Sequence, residues 1–431
     1  MGPEHATETS HAPTGAANAT APAAVPVDVK TTSVADRVSR ARSANERRVL
    51  ALLHARSRPR AELARLTGLS AQAMTGIVRS LATDGLVRPL EPVRGRVGQP
   101  SVPLALDPAG AAALGLAIGR RGGECALVDL AGDIVATRER AWRWPDPYEV
   151  EAFACEAVAA LAADVPDERL HGLGVSMPSE LWQWHERLDA PRAALERWRD
   201  HDAGTALARA TGLPVRLGND AASACGAELT YGHGSGLGDF AHFSIGFLVG
   251  GGLVIDGAVH SGRGGRGAAF GSLPVPDGEA SGSPAAALRG SGTAQLIDEA
   301  SVHVLATMLE RAGHPPGPAG LSGPGSIGWT AAPAVLRRWE ARASRALATA
   351  VASVAAVVEL DRVVIDGPVP AGVRRRLCAG TRRALGQLDT RGLALPPVVE
   401  GSLGARAAVL GAARLALLDD LLPTRQPSTL A

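Results

Sequence analysis

Between Arg58 and Leu90 the chain reads RPRAELARLTGLSAQAMTGIVRSLATDGLVRPL. Several of its polar residues are of the types that read nucleic-acid bases. The amide of Gln72 suits adenine and the guanidinium of Arg79 suits guanine, while Ala71 and Thr75 offer apolar or hydroxyl contacts. From Asp36 to Pro100 there are thirteen arginines against five acidic residues, a local charge of +8, whereas the whole chain carries only +1. Positive charge confined to one segment is the electrostatic footprint of a module that meets a phosphate backbone. Arg60, Arg94 and Arg96 are the candidates for phosphate contacts.

The elements that must position these groups can be read from spacing. Met74, Ile77, Val78 and Leu81 fall at i, i+3, i+4 and i+7, one apolar helix face, with Ala71, Gln72, Thr75, Gly76 and Arg79 on the other. Ser70 stands where an N-cap belongs, and Thr67-Gly68 supplies the tight turn before it. This is the pattern of a helix-turn-helix whose second helix is free to enter a DNA major groove. It also fits a small helical hairpin that buries one face and does nothing else. A preceding helix over Ser43–Ala55, with Val49, Leu50, Leu52 and Leu53 inward, would complete a three-helix core. After Asp84-Gly85, two short β-like runs flank a loop holding Arg94 and Arg96, which reads as a β-hairpin wing.

Composition bounds the rest. With 431 residues the chain holds two or three domains, and 46% apolar residues suffice for buried cores. Aromatics make up only 3%, so those cores are built of Ala, Val and Leu. Cys125, Cys155, Cys225 and Cys378 are scattered without CxxC spacing, which gives neither a disulfide framework nor a zinc pattern and suits a reducing cytoplasm. No run of about 18 apolar residues is present, so no membrane span or membrane partner is expected. Residues 1–35, rich in Ala, Thr and Pro, read as a disordered tail, and residues 421–431 as a flexible C-terminus. From Ala111 onward, strands over 113–119, 124–130 and 131–136 precede a helix over 147–163 and a strand over 170–177. A helix over 202–211, a strand over 214–217 and a helix from Asp220 follow: an α/β alternation with mixed sheets.

The segments LGLAIG…ALVDLAGDIV, GLGVSMPS, LPVRLGNDAASACGAEL, FSIGFLVGGGLVIDGAVHSGRGGRGAAFGSLPV, RGSGTA, RVVIDGPV and EGSLGARAAVLGAA occur in one order with sensible spacing. Together they resemble the ROK family of sugar-responsive repressors, open reading frames and sugar kinases, over roughly Arg42 to Leu418. The resemblance implies an α/β fold: an N-terminal winged helix-turn-helix over 36–107, then a two-lobed actin-like, ribonuclease H-like sugar-kinase fold. Its first lobe would span 108–222, with a C-terminal helix over 404–420 packing back on it, and its second lobe 223–403.

In the family an Asn-Asp pair binds sugar hydroxyls and its Asp is the catalytic base; Asn219 and Asp220 match it. The phosphate loops depart from the pattern. Asp-x-Gly-x-Thr appears as Ala117-Ile118-Gly119-Arg120-Arg121, and Gly-Thr-Gly-x-Gly-Gly-Gly as Gly246-Phe247-Leu248-Val249-Gly250-Gly251-Gly252. The third loop, Gly-Gly-Gly, appears as Asp366-Gly367-Pro368, which sets a negative charge and a residue without N–H beside the nucleotide. The family's sugar-binding Glu aligns with Ala269, its zinc-binding His with Ser272, and the expected Cys cluster is missing.

These departures predict no phosphoryl transfer, a vestigial Asp220, no metal and no cofactor. Asn219, Asp220, Ser179, Ala269, Ser272 and Arg192, which sits near the usual Asn of a Pro-Asn run, are the candidate ligand residues. Arg192 would suit a phosphorylated or acidic ligand. The expectation is a cytoplasmic transcriptional regulator that binds a double-stranded DNA operator as a homodimer or homotetramer. A repressor or a pleiotropic regulator of carbon or secondary metabolism is expected, and a possible sugar or sugar-phosphate effector is implied. The competing expectation is an active sugar kinase with a DNA-binding arm.

Overall fold

The computed structural model describes residues 42–93, 101–277, 292–316, 321, 327–418 and 420–425. The expected N-terminal tail and the arginines at 94 and 96 lie outside the described residues, as do most of the segment where the Cys cluster was sought and the residues after 425. No helix among the described residues is long and apolar enough to cross a membrane.

Three helices open the fold: α1 (Ala44–Ala55), α2 (Arg60–Thr67) and α3 (Ala71–Thr83), with a two-residue strand β1 (Arg58–Pro59) before α2. Ser43 and Glu46 form a reciprocal capping box on α1, and Ser80 of α3 donates to the same Glu46 carboxylate at 2.9 Å. Gly68 ends α2 at φ 72°, a left-handed conformation that favours glycine, and this sets the turn into α3. Strands β2 (Val87–Pro89) and β3 (Pro103–Leu106) then pair with β1 in the antiparallel order β1-β3-β2. The bridge Val93↔Ser101 extends this hairpin. Strand β1 was not anticipated. Its Arg58, one of the thirteen arginines counted above, is buried: Nε donates to Leu52 O at 3.1 Å and the guanidinium pairs with Glu62.

Two five-stranded sheets follow. The first comprises β4 (Ala112–Ile118), β5 (Gly122–Asp129), β6 (Ile134–Ala141), β7 (Leu170–Met177) and β8 (Val215–Asn219), in the order β6-β5-β4-β7-β8. Helix α4 (Pro147–Ala162) links β6 to β7, α5 (Ala203–Thr211) precedes β8, and α6 (Asp220–Tyr231) leaves it. The second sheet comprises β9 (Phe240–Ser244), β10 (Gly250–Ile255), β11 (Ala258–Val259), β14 (Arg362–Asp366) and β15 (Val398–Glu400), in the order β11-β10-β9-β14-β15. Both sheets run antiparallel, antiparallel, parallel, parallel. The lobes are therefore two copies of one topology, as the two-lobed expectation requires. The second lobe adds a ribbon, β12 (Pro274–Pro276) with β13 (Thr293–Gln295), and helices α7 (Val302–Arg311), α8 (Pro333–Ala355) and α9 (Ala371–Leu385). The final helix α10 (Ala407–Leu417) returns to the first sheet. There Gly115 and Gly174 let it lie directly on the strands, since a Cβ at Gly174 would come within 1.7 Å of Ala412 O.

One apolar cluster joins the N-terminal helices to this fold. Leu50, Leu63, Met74 and Leu81 belong to the same buried core as Val128, Ala227, Leu410, Leu421 and Leu422. The amide of Arg42 donates to Asp420 O at 2.9 Å, so the residues after α10 also fasten the start of the chain.

Candidate nucleic-acid interface and interlobe pocket

Helix α3 presents two distinct faces. Met74 and Leu81 are fully buried and Ile77 and Val78 partly so, while Ser70, Ala71, Gln72, Gly76 and Arg79 are exposed. Ser70 caps the helix, accepting from Ala73 N at 3.2 Å. Arg60, at the start of α2, reaches Thr75 Oγ1 at 3.4 Å, so its cation neighbours the middle of the outward face of α3. A Cβ at Gly76 would meet nothing within 4 Å. Among the flanking arginines, Arg42 pairs with Asp84, and Arg56 joins Arg58 on Glu62. Three of the thirteen arginines are thus engaged inside the module.

In the cleft between the lobes, the first two loops that would cradle phosphates contact each other. The Arg120 guanidinium lies 3.9 Å from the centre of the Phe247 ring, within cation–π range. Its Nε donates to Leu188 O at 3.4 Å. Phe247 in turn leans on the His303 ring at 5.7 Å. Burial, with the neighbouring Arg121 charge, lowers Arg120 to about 10. Burial also lowers His303 to about 4, leaving a neutral imidazole at neutral pH. The N–H of Val249, in the second loop, donates to Ser301 Oγ at 2.8 Å. Two ion pairs cross the same cleft: Arg187–Asp298 at 2.9 Å and Arg266–Glu180 at 2.8 Å.

The third loop corrects the sequence reading. Asp366 does not set its charge beside a nucleotide. Its side chain turns into the second lobe, where Oδ2 accepts from Gly404 N at 2.8 Å and Arg374 lies at 3.4 Å. The residue is fully buried, and burial together with nearby Glu228 raises its carboxyl to about 6. Glu228, on α6, is also fully buried and accepts from the amides of His233, Ser402 and Leu403 at 2.7–3.1 Å. The alignment of family motifs gave no signal for Glu228, because a lone Glu inside an Ala-rich helix has no distinctive spacing.

A cavity of about 540 Å³ opens beside the Asn-Asp pair. Its walls come from the end of β7 (Met177 to Trp182), the β8–α6 junction (Gly218, Asn219, Ala222, Ser223), the 261–265 loop, α10 and Thr424. Trp182 and Trp198 provide flat apolar surface. Asn219 does two jobs: Oδ1 caps α6 by accepting from Ala222 N at 3.1 Å, and Nδ2 donates to Ser179 Oγ at 3.1 Å. Asp220 lies beside the cavity; Oδ1 accepts from Ala221 N at 2.8 Å and burial pushes its carboxyl up.

Ser179 and Asn219 are thus brought together at the cavity. Ala269 and Ser272 are exposed around a short helical turn and do not line it. Arg192 is also elsewhere. It begins a five-residue helix, its side chain is 74% exposed, and it sits 3.8 Å from Glu196. Sequence alignment placed it near the ligand because that region was matched without a distinctive motif. Among the described residues no group of three or more His, Cys, Asp or Glu is arranged to hold a metal ion.

Comparison with known proteins bears on both regions. A sequence model of the ROK family matches residues 113–287. The uncharacterized protein y4fQ of Sinorhizobium fredii is 29% identical over 375 residues, covering 86% of this chain and 90% of that protein. The transcriptional regulator Rv0485 of Mycobacterium tuberculosis is 28% identical over 222 residues, and the match spans about half of each chain, 48%. Among solved structures, a ROK family transcriptional regulator described as a homolog of the E. coli MLC protein superposes with TM-score 0.58. It is 23% identical and matches over 89% of this chain and 98% of its own. A ROK family glucokinase from Streptomyces griseus, solved with glucose and AMPPNP, gives TM-score 0.54 at 23% identity, over 71% of this chain and 99% of its own. The glucokinase match leaves more of the present chain uncovered than the regulator match does.

Proposed function

We propose that this protein, whose residues 113–287 match the ROK family model, is a DNA-binding transcriptional regulator with a degenerate sugar-kinase fold behind the DNA-reading module. The observation that carries the reading is α3: a capped helix, buried on one face, that presents Gln72, Thr75 and Arg79 on the other. The regulator-type relatives support it. In this reading residues 36–107 are the DNA-binding unit, and the lobes supply an effector pocket and a dimer or tetramer interface. Two recognition helices would then meet half-sites one helical turn, or a multiple of it, apart. The site of action would be the cytoplasm, where the chromosome is, and repression is the favoured mode. A sugar-like small molecule between the lobes would shift their closure and with it the placement of α3.

The proposal separates two kinds of arginine. Arg79→Ala should lower affinity in a sequence-dependent way, by about 1–3 kcal/mol on the preferred site. Arg94→Ala should weaken all DNA about equally and flatten the salt dependence. Identical effects of the two substitutions on every sequence would refute the assignment.

Loss of phosphoryl transfer is part of the same proposal. A kinase needs open backbone cradles for the phosphates and a placed metal. Here Arg120 and Phe247 occupy each other across the cleft, and Ala117 stands where the family has its acid. The surviving Asn219 and Asp220 favour the kinase reading, but they serve sugar binding equally well. Incubation with ATP, Mg²⁺ and a hexose panel should give no phosphorylated sugar above a no-protein control. A signal that Asp220→Asn abolishes would establish the kinase instead.

A further inference from the structure

Arg414 on α10 is 3% exposed and lines the cavity between the lobes. Its Nε donates to Thr230 Oγ1 at 2.6 Å, and this is the single hydrogen bond that its guanidinium makes among the described residues. No carboxylate lies within ion-pair distance of it among the described residues, and the nearby Tyr231, Cys225 and His54 of α1 are held uncharged by burial. A buried guanidinium without an anionic partner is costly, by several kcal/mol in the general case. One turn away on α6, the Ser223 hydroxyl also lines the cavity, is 4% exposed, and has no hydrogen-bond partner. A cation without an ion-pair partner and a hydroxyl without a hydrogen-bond partner among the described residues therefore line one cavity. Both are more than nine-tenths buried, one a cation and the other a neutral donor.

We propose that the interlobe cavity binds an anionic small molecule whose phosphate or carboxylate is received by Arg414 and Ser223. The rest of the lining suits the uncharged part of such a ligand: Asn219 and Ser179 offer hydroxyl partners, and Trp182 a flat apolar face. This assigns the charge-recognising role to Arg414 in place of Arg192. It also gives the anion a route to the DNA-reading module. Arg414 lies against α6 at Gly226, where a Cβ would come within 3.0 Å of Nη1, and it bonds Thr230, whose neighbour Tyr231 meets the His54 ring of α1 edge-on at 5.4 Å. The inference deepens the effector part of the proposed function and rests on it.

The test is thermal melting of the full chain at constant ionic strength with D-glucose 6-phosphate, D-gluconate or D-glucose, each alongside gel-shift binding to its DNA site. At least one anionic probe should raise the melting temperature by about 2 °C or more at saturation, with D-glucose without effect. Which anion acts distinguishes a phosphate from a carboxylate ligand. Arg414→Met should abolish the shift, weakening binding by about tenfold or more, and Ser223→Ala should reduce it. Without ligand, Arg414→Met should melt at or above the wild-type temperature, because an apolar side chain of similar reach replaces an unpaired buried charge. The proposal falls if neither anion shifts the wild type or if both proteins shift equally. It also falls if Arg414→Met melts several degrees lower, which would mark the arginine as a structural prop. Absence of an anion response in a wild type that still binds DNA strikes this inference alone; failure of the wild type to bind any DNA strikes the proposed function.

Discussion

Leu50→Ala tests whether the DNA-reading helices and the kinase-like lobes form one cooperative body. Leu50 is fully buried on α1, in the cluster that also contains Leu410 and Leu421. Truncating a fully buried leucine costs about 2–5 kcal/mol, the spread reflecting how far the cavity can collapse. At a urea m-value of about 3 kcal/mol/M, the midpoint should fall by roughly 0.7–1.7 M. The readout is unusually clean. All seven tryptophans (142, 144, 182, 184, 198, 329 and 339) lie in the lobes, so their fluorescence reports nothing of α1 to α3 directly. A shared core predicts that Leu50→Ala moves the tryptophan-monitored midpoint by the full amount, together with the loss of DNA binding. If DNA binding is lost while the tryptophan midpoint stays fixed, the module unfolds independently and the reasoning is wrong.

Two further outcomes follow from single residues. Gly76→Ala should stabilise α3 by up to about 1 kcal/mol, since the helix gains propensity and the added Cβ meets open space. If the α3 backbone approaches DNA closely at Gly76, the same variant loses DNA affinity while melting higher; unchanged affinity would show that no close approach exists there. Asp366, with its carboxyl raised to about 6, contributes most to stability below its unfolded pKa near 4 and loses that contribution as pH rises through about 6. Asp366→Asn should therefore gain on the wild type by on the order of 1–3 kcal/mol between pH 4 and 7. A wild-type-to-variant difference that is flat across that range would contradict the assignment.

Much of the fold was legible because it rests on local signals. The periodicity of Met74 to Leu81, the Ser70 cap and the Gly68 turn all act within a few residues of themselves, and α3 starts at the expected cap. The β7 strand, at 170–177, and the start of α6 were equally readable, because Asn219 announces its own cap. What stayed hidden depends on distant partners. Arg58 looked like one more cation of the basic segment, and only the approach of Leu52 O and Glu62 turns it inward. Asp366 looked like an obstacle at the nucleotide site because its distance from Gly404 along the chain conceals the hydrogen bond that holds it. Arg414 had no sequence signal either, since its significance lies in the absence of a carboxylate around it.

The central claim, that α3 reads DNA sequence, is tested most directly by selecting DNA from a random pool with the purified full chain and repeating the selection with Arg79→Ala. The account predicts an enriched inverted repeat with half-sites about 10 base pairs apart, centre to centre, or a multiple of that. With Arg79→Ala, preference for guanine should relax at one symmetric position while the rest of the site is kept. No enriched sequence, or an Arg79→Ala selection that returns the same site unaltered, would contradict it.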